Sequence, residues 1–372
     1  MSLDISTGAG DSADGFIVQK DPYGLRIAAG RRADTGAAFG VTNDANGLAI
    51  NVREVSPDGF TVHIFTEDGV FVVPFDLYSW VLVVGAGANG GGGENQGAGG
   101  GGGQVISEEG VMLSGSLPVV IGMGGLGSTT LAQNDGGTTT FAGLTAIGGG
   151  AGAAYALMAH EGASGGGNTG GIPGVYSRPG AAGLAGHKGG DGSDGMETYT
   201  GGTAGGGGGG AGGPGGDARG YMTGETQLVT GDGGPGLLID IVPTVTRPCP
   251  YYGAGGGAVS SVSSYPVSGG AGGSPGGPWY AEGRGNWSAA GGSGFPTSGS
   301  GDLSSLHDAQ NHAGYPNSGS GGGAGSQLAY GGPNKGCSGD GADGIVVVRY
   351  DGAPKAMGGT VIFYDAEGNV RT

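Results

Sequence analysis

Trp80-Val-Leu-Val-Val-Gly85-Ala-Gly-Ala-Asn-Gly90-Gly-Gly-Gly-Glu-Asn-Gln-Gly-Ala-Gly-Gly100 is the stretch on which the fold turns. An apolar strand runs into Gly85-x-Gly87-x-x-Gly90, the spacing of a dinucleotide-binding turn. That chemistry needs a helix directly afterwards, whose N-terminus receives the pyrophosphate, and an acidic residue about twenty positions on. Here the chain continues with glycine, and each helical Gly costs about 1 kcal/mol relative to Ala. No helix follows, so the oxidoreductase reading fails and the strand must lead into another backbone geometry.

Polyproline-II-type helices meet the need. With three residues per turn, their N–H and C=O groups point outward, and Gly has no Cβ to hold neighbouring helices apart. A bundle of such helices exchanges many main-chain bonds, each of modest strength. Those bonds must offset the large backbone entropy that Gly loses on ordering.

Outward from this stretch the composition agrees. Of 372 residues, 100 are Gly and 18 are Pro, beyond the roughly 25–30% at which composition alone suggests low complexity. Disorder is opposed by an apolar fraction of 36% and a charged fraction of only 12%, the reverse of a disordered chain. Collagen is excluded because Gly201-Gly-Thr-Ala-Gly205 and Gly212-Gly-Pro-Gly-Gly216 break the every-third-residue frame. A net charge of −17 repels polyphosphates, so no nucleic-acid partner is expected. No run reaches the 18 or more apolar residues of a membrane span, and Met1-Ser-Leu-Asp-Ile-Ser lacks a basic, then apolar, leader. The expectation is synthesis in a cytoplasm without a signal peptide and no membrane insertion. Cys249 and Cys337 permit one disulfide or two free thiols, and the sequence does not choose between them.

Glycine density divides the chain: ten glycines in 1–84, eighty-six in 85–350 and four in 351–372. Within the first part, Leu48–Val52, Phe60–Phe65 and Val70–Val73 alternate apolar and polar residues around Pro57-Asp-Gly59 and Glu67-Asp-Gly69 turns. That pattern predicts a β-meander over 40–84. Phe16–Val18 and Leu25–Ile27 are shorter candidate strands. The last part reads as a strand at 359–364, a turn at Asp365-Ala-Glu-Gly-Asn369 and a short final strand. The predicted fold class is mainly β plus irregular, with almost no α-helix. An N-terminal β attachment region (1–70) precedes a glycine-rich domain with a polyglycine-II bundle on a β scaffold (71–350) and a strand-turn segment (351–372).

Four stretches carry a resemblance. Val72-Val-Pro74 before Trp80–Ala88, then Leu117-Pro-Val-Val-Ile-Gly122-Met-Gly-Gly-Leu-Gly-Ser128, then Gly136–Gly148, then Gly339-Asp-Gly-Ala-Asp-Gly-Ile-Val-Val-Val-Arg-Tyr350 resemble, in order, the glycine-rich domains of bacteriophage tail-tip, tail-fibre and minor tail proteins. The resemblance covers about residues 70–350. It implies a non-enzymatic virion protein, a β scaffold enclosing a polyglycine-II bundle, other tail proteins as partners, a host cell-surface component (glycan or protein) as target, and a homotrimer. The chain departs from the simplest members in long non-Gly excursions at 221–252 and 279–317, where specificity is expected.

Other motifs weigh less. Gly189-Gly-Asp-Gly-Ser-Asp-Gly-Met-Glu197 fits a calcium nonapeptide, with a near-copy at Asp340–Asp343. Such sites work as tandem stacks, and neither copy has a neighbour, so Asp- and Gly-rich turns are the better reading and no metal is expected. His63, His160, His187, His307 and His312 lack metal-ligand spacing and read as exposed loop residues. No phosphate loop and no nucleophile, base and acid set appears, so no catalytic residues and no cofactor are assigned. The contact candidates are Tyr251, Tyr252, Tyr265, Trp279, Tyr280, Trp287, Phe295, Tyr315 and Tyr330, aromatic rings set among Gly, Ser, Asn and Pro, a composition suited to recognition loops. The competing readings are a purely structural tail component and an ice-binding polyglycine-II protein.

Overall fold

The computed structural model describes residues 18–21, 24–27, 37–44, 47–54, 59–92, 97–128, 130–154, 157–170, 177–194, 203–219, 229–248, 250–261, 313–325 and 338–371. These divide into two compact units, Met1–Thr61 with Asp351–Pro354 and Ile362–Thr372, and Val62–Tyr350 with Lys355–Val361.

In the first unit the backbone forms two hairpins. β1 (Val18–Asp21) pairs with β2 (Gly24–Ile27), and β3 (Ala37–Asp44) pairs with β4 (Gly47–Glu54) over eight residue pairs. At its other end the expected turn forms: Asp365 N–H donates to Asn369 O, and Gly368 takes a φ of 84°. The Asp365 carboxylate accepts the Asn369 N–H, which holds its pKa below the usual value.

The remaining strands are β5 (Phe60–Phe65), β6 (Gly69–Val84), β7 (Val105–Val120), β8 (Thr139–Phe141), β9 (Leu144–Ala146), β10 (Ser177–Arg178), β11 (Gly192–Asp194), β12 (Thr203–Ala204), β13 (Leu237–Leu238), β14 (Tyr251–Tyr252), β15 (Ser260–Ser261), β16 (Ile345–Asp351) and β17 (Thr360–Tyr364). Among the described residues there is no helix. The main sheet runs β17-β5-β16-β6-β7-β8-β9.

This order corrects the meander. β5 and β6 are consecutive in sequence yet separated by β16, and among the described residues β4 pairs only with β3. The reason lies in β16, whose Ile345-Val-Val-Val348 is buried at every position. A strand apolar on both faces belongs in the middle of a sheet, and it occupies the place a β5–β6 hairpin would close. The loop between β8 and β9 is a tight turn with positive φ at Ala142 (49°) and Gly143 (82°), the geometry that matches the twist of a hairpin. One face of the sheet is the core: Phe71, Val73, Leu77, Val81, Val83, Leu113, Val119, Phe141, Val346 and Val348.

His63 belongs to this packed region and is no loop residue. Its Nδ1–H donates to Gly358 O (2.8 Å), and its Nε2 accepts the Tyr350 hydroxyl (3.0 Å), while the Tyr350 oxygen accepts the Lys355 N–H (2.9 Å). The ring is fully buried and stands edge-on to Phe71. The apolar alternation of Phe60, Val62 and Ile64 places His63 on the opposite face of β5, which Tyr350 and the 358–359 backbone cover.

From the sheet the chain enters the glycine-rich bundle. In the run 85–92, successive N–H groups turn through three neighbours. Gly85, Ala88 and Gly91 donate to Gln104, Gly101 and Ala98, Ala86 and Asn89 to Gly137 and Asn134, and Gly87 and Gly90 to Ala342 and Gly339, at 2.8–3.3 Å. The carbonyls of the same run accept from three others: Gly149 and Gly152, Gly322 and Gly325, and Gly125. Each partner changes by three residues as the donor advances by three. That is the signature of a three-fold helix with about 3.1 Å rise per residue, hydrogen-bonded on six sides. The run 97–104 is likewise surrounded, by 85–92, 147–154, 162–170, 204–211, 253–259 and 318–325. Close approach explains the composition: a Cβ on Gly99 would overlap the carbonyl oxygen of Gly256.

Where a surface run lacks a neighbour, side chains supply the acceptors. Asp340 Oδ1 accepts the Gly127 N–H and Asp343 Oδ1 the Gly124 N–H, so two carboxylates three residues apart serve two amides three residues apart. Asp135 serves Ala151, Asp191 serves Gly180 and Asp217 serves Asp191 in the same way. Asn89, fully buried, accepts the Asn134 N–H with Oδ1 and donates Nδ2 to Ala132 O.

Candidate functional site

The described parts of the two aromatic excursions meet at Arg247. In the first excursion Leu237 and Leu238 of β13 pair with Tyr252 and Tyr251 of β14. The hairpin is closed by a turn in which Thr246 and Arg247 donate N–H bonds to Pro243 O (2.9 and 3.0 Å). Proline suits that turn because its φ is already set. The second excursion ends in a turn at 315–318, held by Ser318 Oγ donating to Tyr315 O (2.6 Å), with Asn317 at a φ of 51°.

Arg247 joins them. Its guanidinium carbon lies 4.8 Å from the Tyr252 ring centre and 5.4 Å from that of Tyr315, and Nη2 donates to Asn317 O (2.7 Å). A cation between two aromatic faces contributes about 0.5–2 kcal/mol per ring, more as water is excluded. Backbone bonds complete the junction, Gly253 N–H to Ser318 O (2.8 Å) and Ile239 N–H to Pro250 O (2.9 Å). The outward groups of this cluster are the half-buried Tyr251 and Tyr315 and the exposed Leu238 and Val245.

The contact candidates therefore separate. Tyr251 and Tyr315 lie at the surface of the cluster. Tyr252 is fully buried, packed beneath Arg247, and a ring with no exposed surface touches no outside molecule. Its role is to fix the hairpin. Tyr265, Trp279, Tyr280, Trp287, Phe295 and Tyr330 lie outside the described residues, as do Cys249, Cys337, His307 and His312. Arg247 was missed by sequence reasoning. The available signal was a cation in Pro243-Thr-Val-Thr-Arg-Pro248-Cys-Pro250, in a chain with only 14 lysines and arginines.

The same excursion also reaches the scaffold. Arg349 Nη1 donates to Ile241 O (3.3 Å), and its guanidinium sits 5.7 Å from the Trp80 ring centre. Ile241 and Val242 are buried. Part of the 221–252 excursion thus covers the sheet, while Leu237, Leu238 and Val245 are presented outward.

The other motifs have structural duties. Gly85, Gly87 and Gly90 spend their N–H groups on Gln104, Ala342 and Gly339, leaving none for a phosphate. Asp191, in the nonapeptide, accepts the Gly180 N–H and pairs with Lys188 Nζ at 3.3 Å, and its near-copy at 340–343 accepts bundle amides. His160 pairs with Asp135 at 2.9 Å, half exposed. Among the described residues no cluster of three or more His, Cys, Asp or Glu side chains is placed to hold a metal ion, and no helix is long and apolar enough to cross a membrane.

Comparison with curated proteins finds no match to the chain. The profile of one family, the glycine-rich domain, does match, over residues 66–351. That span takes in the β6 entry, the whole bundle and the closing strand β16, and the chain belongs to the glycine-rich domain family.

Proposed function

We propose that the protein is a bacteriophage virion component, a minor tail protein of the tail tip or fibre that contacts the host cell surface through loops carried on the bundle. The observation that carries this reading is the convergence of two long aromatic excursions on Arg247 at the edge of a scaffold held by main-chain bonds. Such a scaffold places Tyr251 and Tyr315 with little freedom left to lose, so binding costs little ordering entropy. The four motifs that resemble tail proteins in order support the virion setting. Other tail proteins are its neighbours, a glycan or protein of the host envelope is its target, and several copies on one particle multiply weak contacts.

The test is adsorption of the full chain to intact cells of the strain its phage infects, beside a Tyr251→Ala/Tyr315→Ala variant and a Trp279→Ala/Trp287→Ala variant. Loss of at least about tenfold in binding by either variant, with unchanged melting, is the expected result, as for aromatic hot spots. Failure of the well-folded parent to bind, or parental binding by both variants, overturns the reading. The first of these results favours a purely structural tail part.

A further inference from the structure

Arg247 holds more donors than its surroundings use. A guanidinium carries five N–H groups in a planar fork and no acceptor. Nη2 gives its bonds to Asn317 O (2.7 Å) and, at the limit of reach, to Pro316 O (3.4 Å). Nε is buried and meets no acceptor, and among the described residues Nη1 meets none. No carboxylate there forms an ion pair with Arg247, whereas Lys188 finds Asp191 at 3.3 Å. Composition would lead one to expect a partner, since the chain has 31 acidic side chains against 14 basic ones.

The acids beside the junction are engaged elsewhere. Asp340 and Asp343 stand against the 315–318 turn, their main-chain oxygens accepting the Gly314 and Gly319 N–H groups, but their carboxylates serve Gly127 and Gly124 on another run. A guanidinium drawn partly out of water without an anion is costly, and the faces of Tyr252 and Tyr315 offset only part of that cost. The fork thus lacks the anion that would complete it. Around it, Tyr251 and Tyr315 are half-buried, and Thr244 and Val245 of the connecting turn are exposed. Half-buried tyrosines offer flat apolar area to the C–H face of a pyranose and hydroxyls to its polar edge, at small entropic cost.

We propose that Arg247 is the anion-reading group of a glycan site whose ligand is an acidic sugar: a pyranose carrying one carboxylate or one phosphate, with the anion on Nη1 and the ring against Tyr315. Bonds from a guanidinium to an oxyanion are short and about twice as strong as neutral ones. The anion therefore sets the selectivity, and ring and hydroxyl contacts add to it. Net charge sets the valence. At −17, with Asp240 exposed on the same excursion as Arg247, the surroundings repel a dense polyanion, so an isolated negative group is what the single cation can accept. A peptide carboxylate brings no flat C–H face to Tyr315, and the sugar fits better. The inference deepens the contact role proposed for Tyr251 and Tyr315 and rests on it. Its test uses defined sugars and no cells, so a failure here is distinct from a failure of adsorption.

The test is an NMR titration of the full chain carrying isotope-labelled Leu and Val methyl groups. The probes are methyl glucuronoside, its neutral methyl ester, methyl glucoside phosphate, methyl glucoside and N-acetyl-aspartate methylamide. Val245 and Leu238 report on the site, and Leu157, whose carbonyl accepts from Arg178 Nη1 (3.5 Å), reports on a second cation. We expect one or both acidic sugars to shift the Val245 and Leu238 methyls, to leave Leu157 unmoved and to bind at least about tenfold tighter than methyl glucoside. Which of the two responds identifies the source of the anion. The ester should fall to the level of methyl glucoside. Arg247→Gln should bring acidic and neutral sugars within about twofold of each other, a ratio internal to the variant that looseness of the hairpin does not mimic. If that variant binds no sugar at all, the ester decides, because it alters the ligand alone. A parent that binds neither acidic sugar at about 20 mM overturns the proposal. So do an ester that binds as the acid does, an unchanged acid-to-neutral ratio in Arg247→Gln, equal shifts at Leu157, and an aspartate probe that binds as tightly as the sugars.

Discussion

Gly99→Ala tests the physics of the bundle within a run enclosed by six others. The added methyl would overlap the Gly256 carbonyl, with Gly208 N also in reach, and backbone cannot turn aside as a side chain can. Run 253–259 must move off run 97–104, which stretches Gly256 N–H to Gly100 O (2.9 Å) and Val259 N–H to Gly97 O (3.1 Å). Overpacking costs about 1–3 kcal/mol, and each weakened bond removes about 0.5–1.5 kcal/mol. Against this, alanine restricts the unfolded chain and returns about 0.4–1 kcal/mol. The net is a loss of about 2–5 kcal/mol, which in a chain of this size lowers Tm by roughly 3–6 °C. Thermal melting by circular dichroism measures it, with Gly69→Ala as control, since a Cβ there meets nothing closer than the Phe65 ring at 3.4 Å. If Gly99→Ala melts within about 1 °C of the parent and of the control, inter-helix spacing does not depend on absent side chains and the account of the bundle is wrong.

Further outcomes follow from the edges and the sheet. Asp340→Ala orphans the Gly127 N–H and should cost about 1–3 kcal/mol, whereas Asp340→Asn keeps an acceptor oxygen and should cost less than half as much. Equal losses in urea unfolding would show that the carboxylate acts as a charge and not as a backbone substitute. His63 has its pKa lowered, chiefly by burial and against the Gly358 bond, which raises it. The unfolded chain therefore binds the proton more readily, and the stability this group contributes is complete above its unfolded pKa of about 6.5. It declines as pH falls below that value, with a limiting slope of about 1.4 kcal/mol per pH unit. Tm should fall between about pH 7 and 5, and His63→Gln should flatten that slope even if it melts lower throughout, so an unchanged slope would remove His63 from the explanation. Ala142 sits at a φ of 49°, so Ala142→Gly should raise stability by about 0.5–1 kcal/mol, read as a higher urea midpoint.

Elements whose burial dictates their composition were legible in the sequence. Val81–Val84 read as a strand because the run is apolar at every position, whereas the strand pair within Gly136–Gly148 and the strand within Gly339–Tyr350 were carried only by the resemblance. β7 was legible only at Leu117–Val120. Its first twelve residues include Glu108, Glu109, Gly110 and Gly115, and the register slips that accommodate them, between Val73 and Leu77 and between Ser79 and Val81 on the facing strand, are settled by pairing with β6. The strand order was illegible for a related reason, since alternation states which face is buried and not which neighbour lies alongside. The candidate site was half legible: aromatic residues flagged the excursions, but burial separates Tyr252 from Tyr251, adjacent in sequence, and only the folded hairpin decides which points inward.

The pairing of the glycine-rich runs escapes sequence reading because every run offers the same chemistry. What distinguishes them is phase. A helix of three residues per turn presents each neighbour with every third amide, so the partner list of 85–92 is written by position modulo three, and the exceptions to glycine obey that rule. Among the described residues, Met123 and Leu126 fall on a phase with no neighbouring run, Asp340 and Asp343 on a phase where a carboxylate serves in place of a carbonyl, and Asn89 on one where its side chain bridges to run 132–138. An extra residue inside a run rotates everything beyond it by a third of a turn and misaligns all its bonds. The same residue added between runs disturbs none of them. Excursions can therefore vary in length and chemistry while the lattice beneath keeps its register, and that is the physical reason to seek recognition at Tyr251, Tyr315 and the loops beyond them.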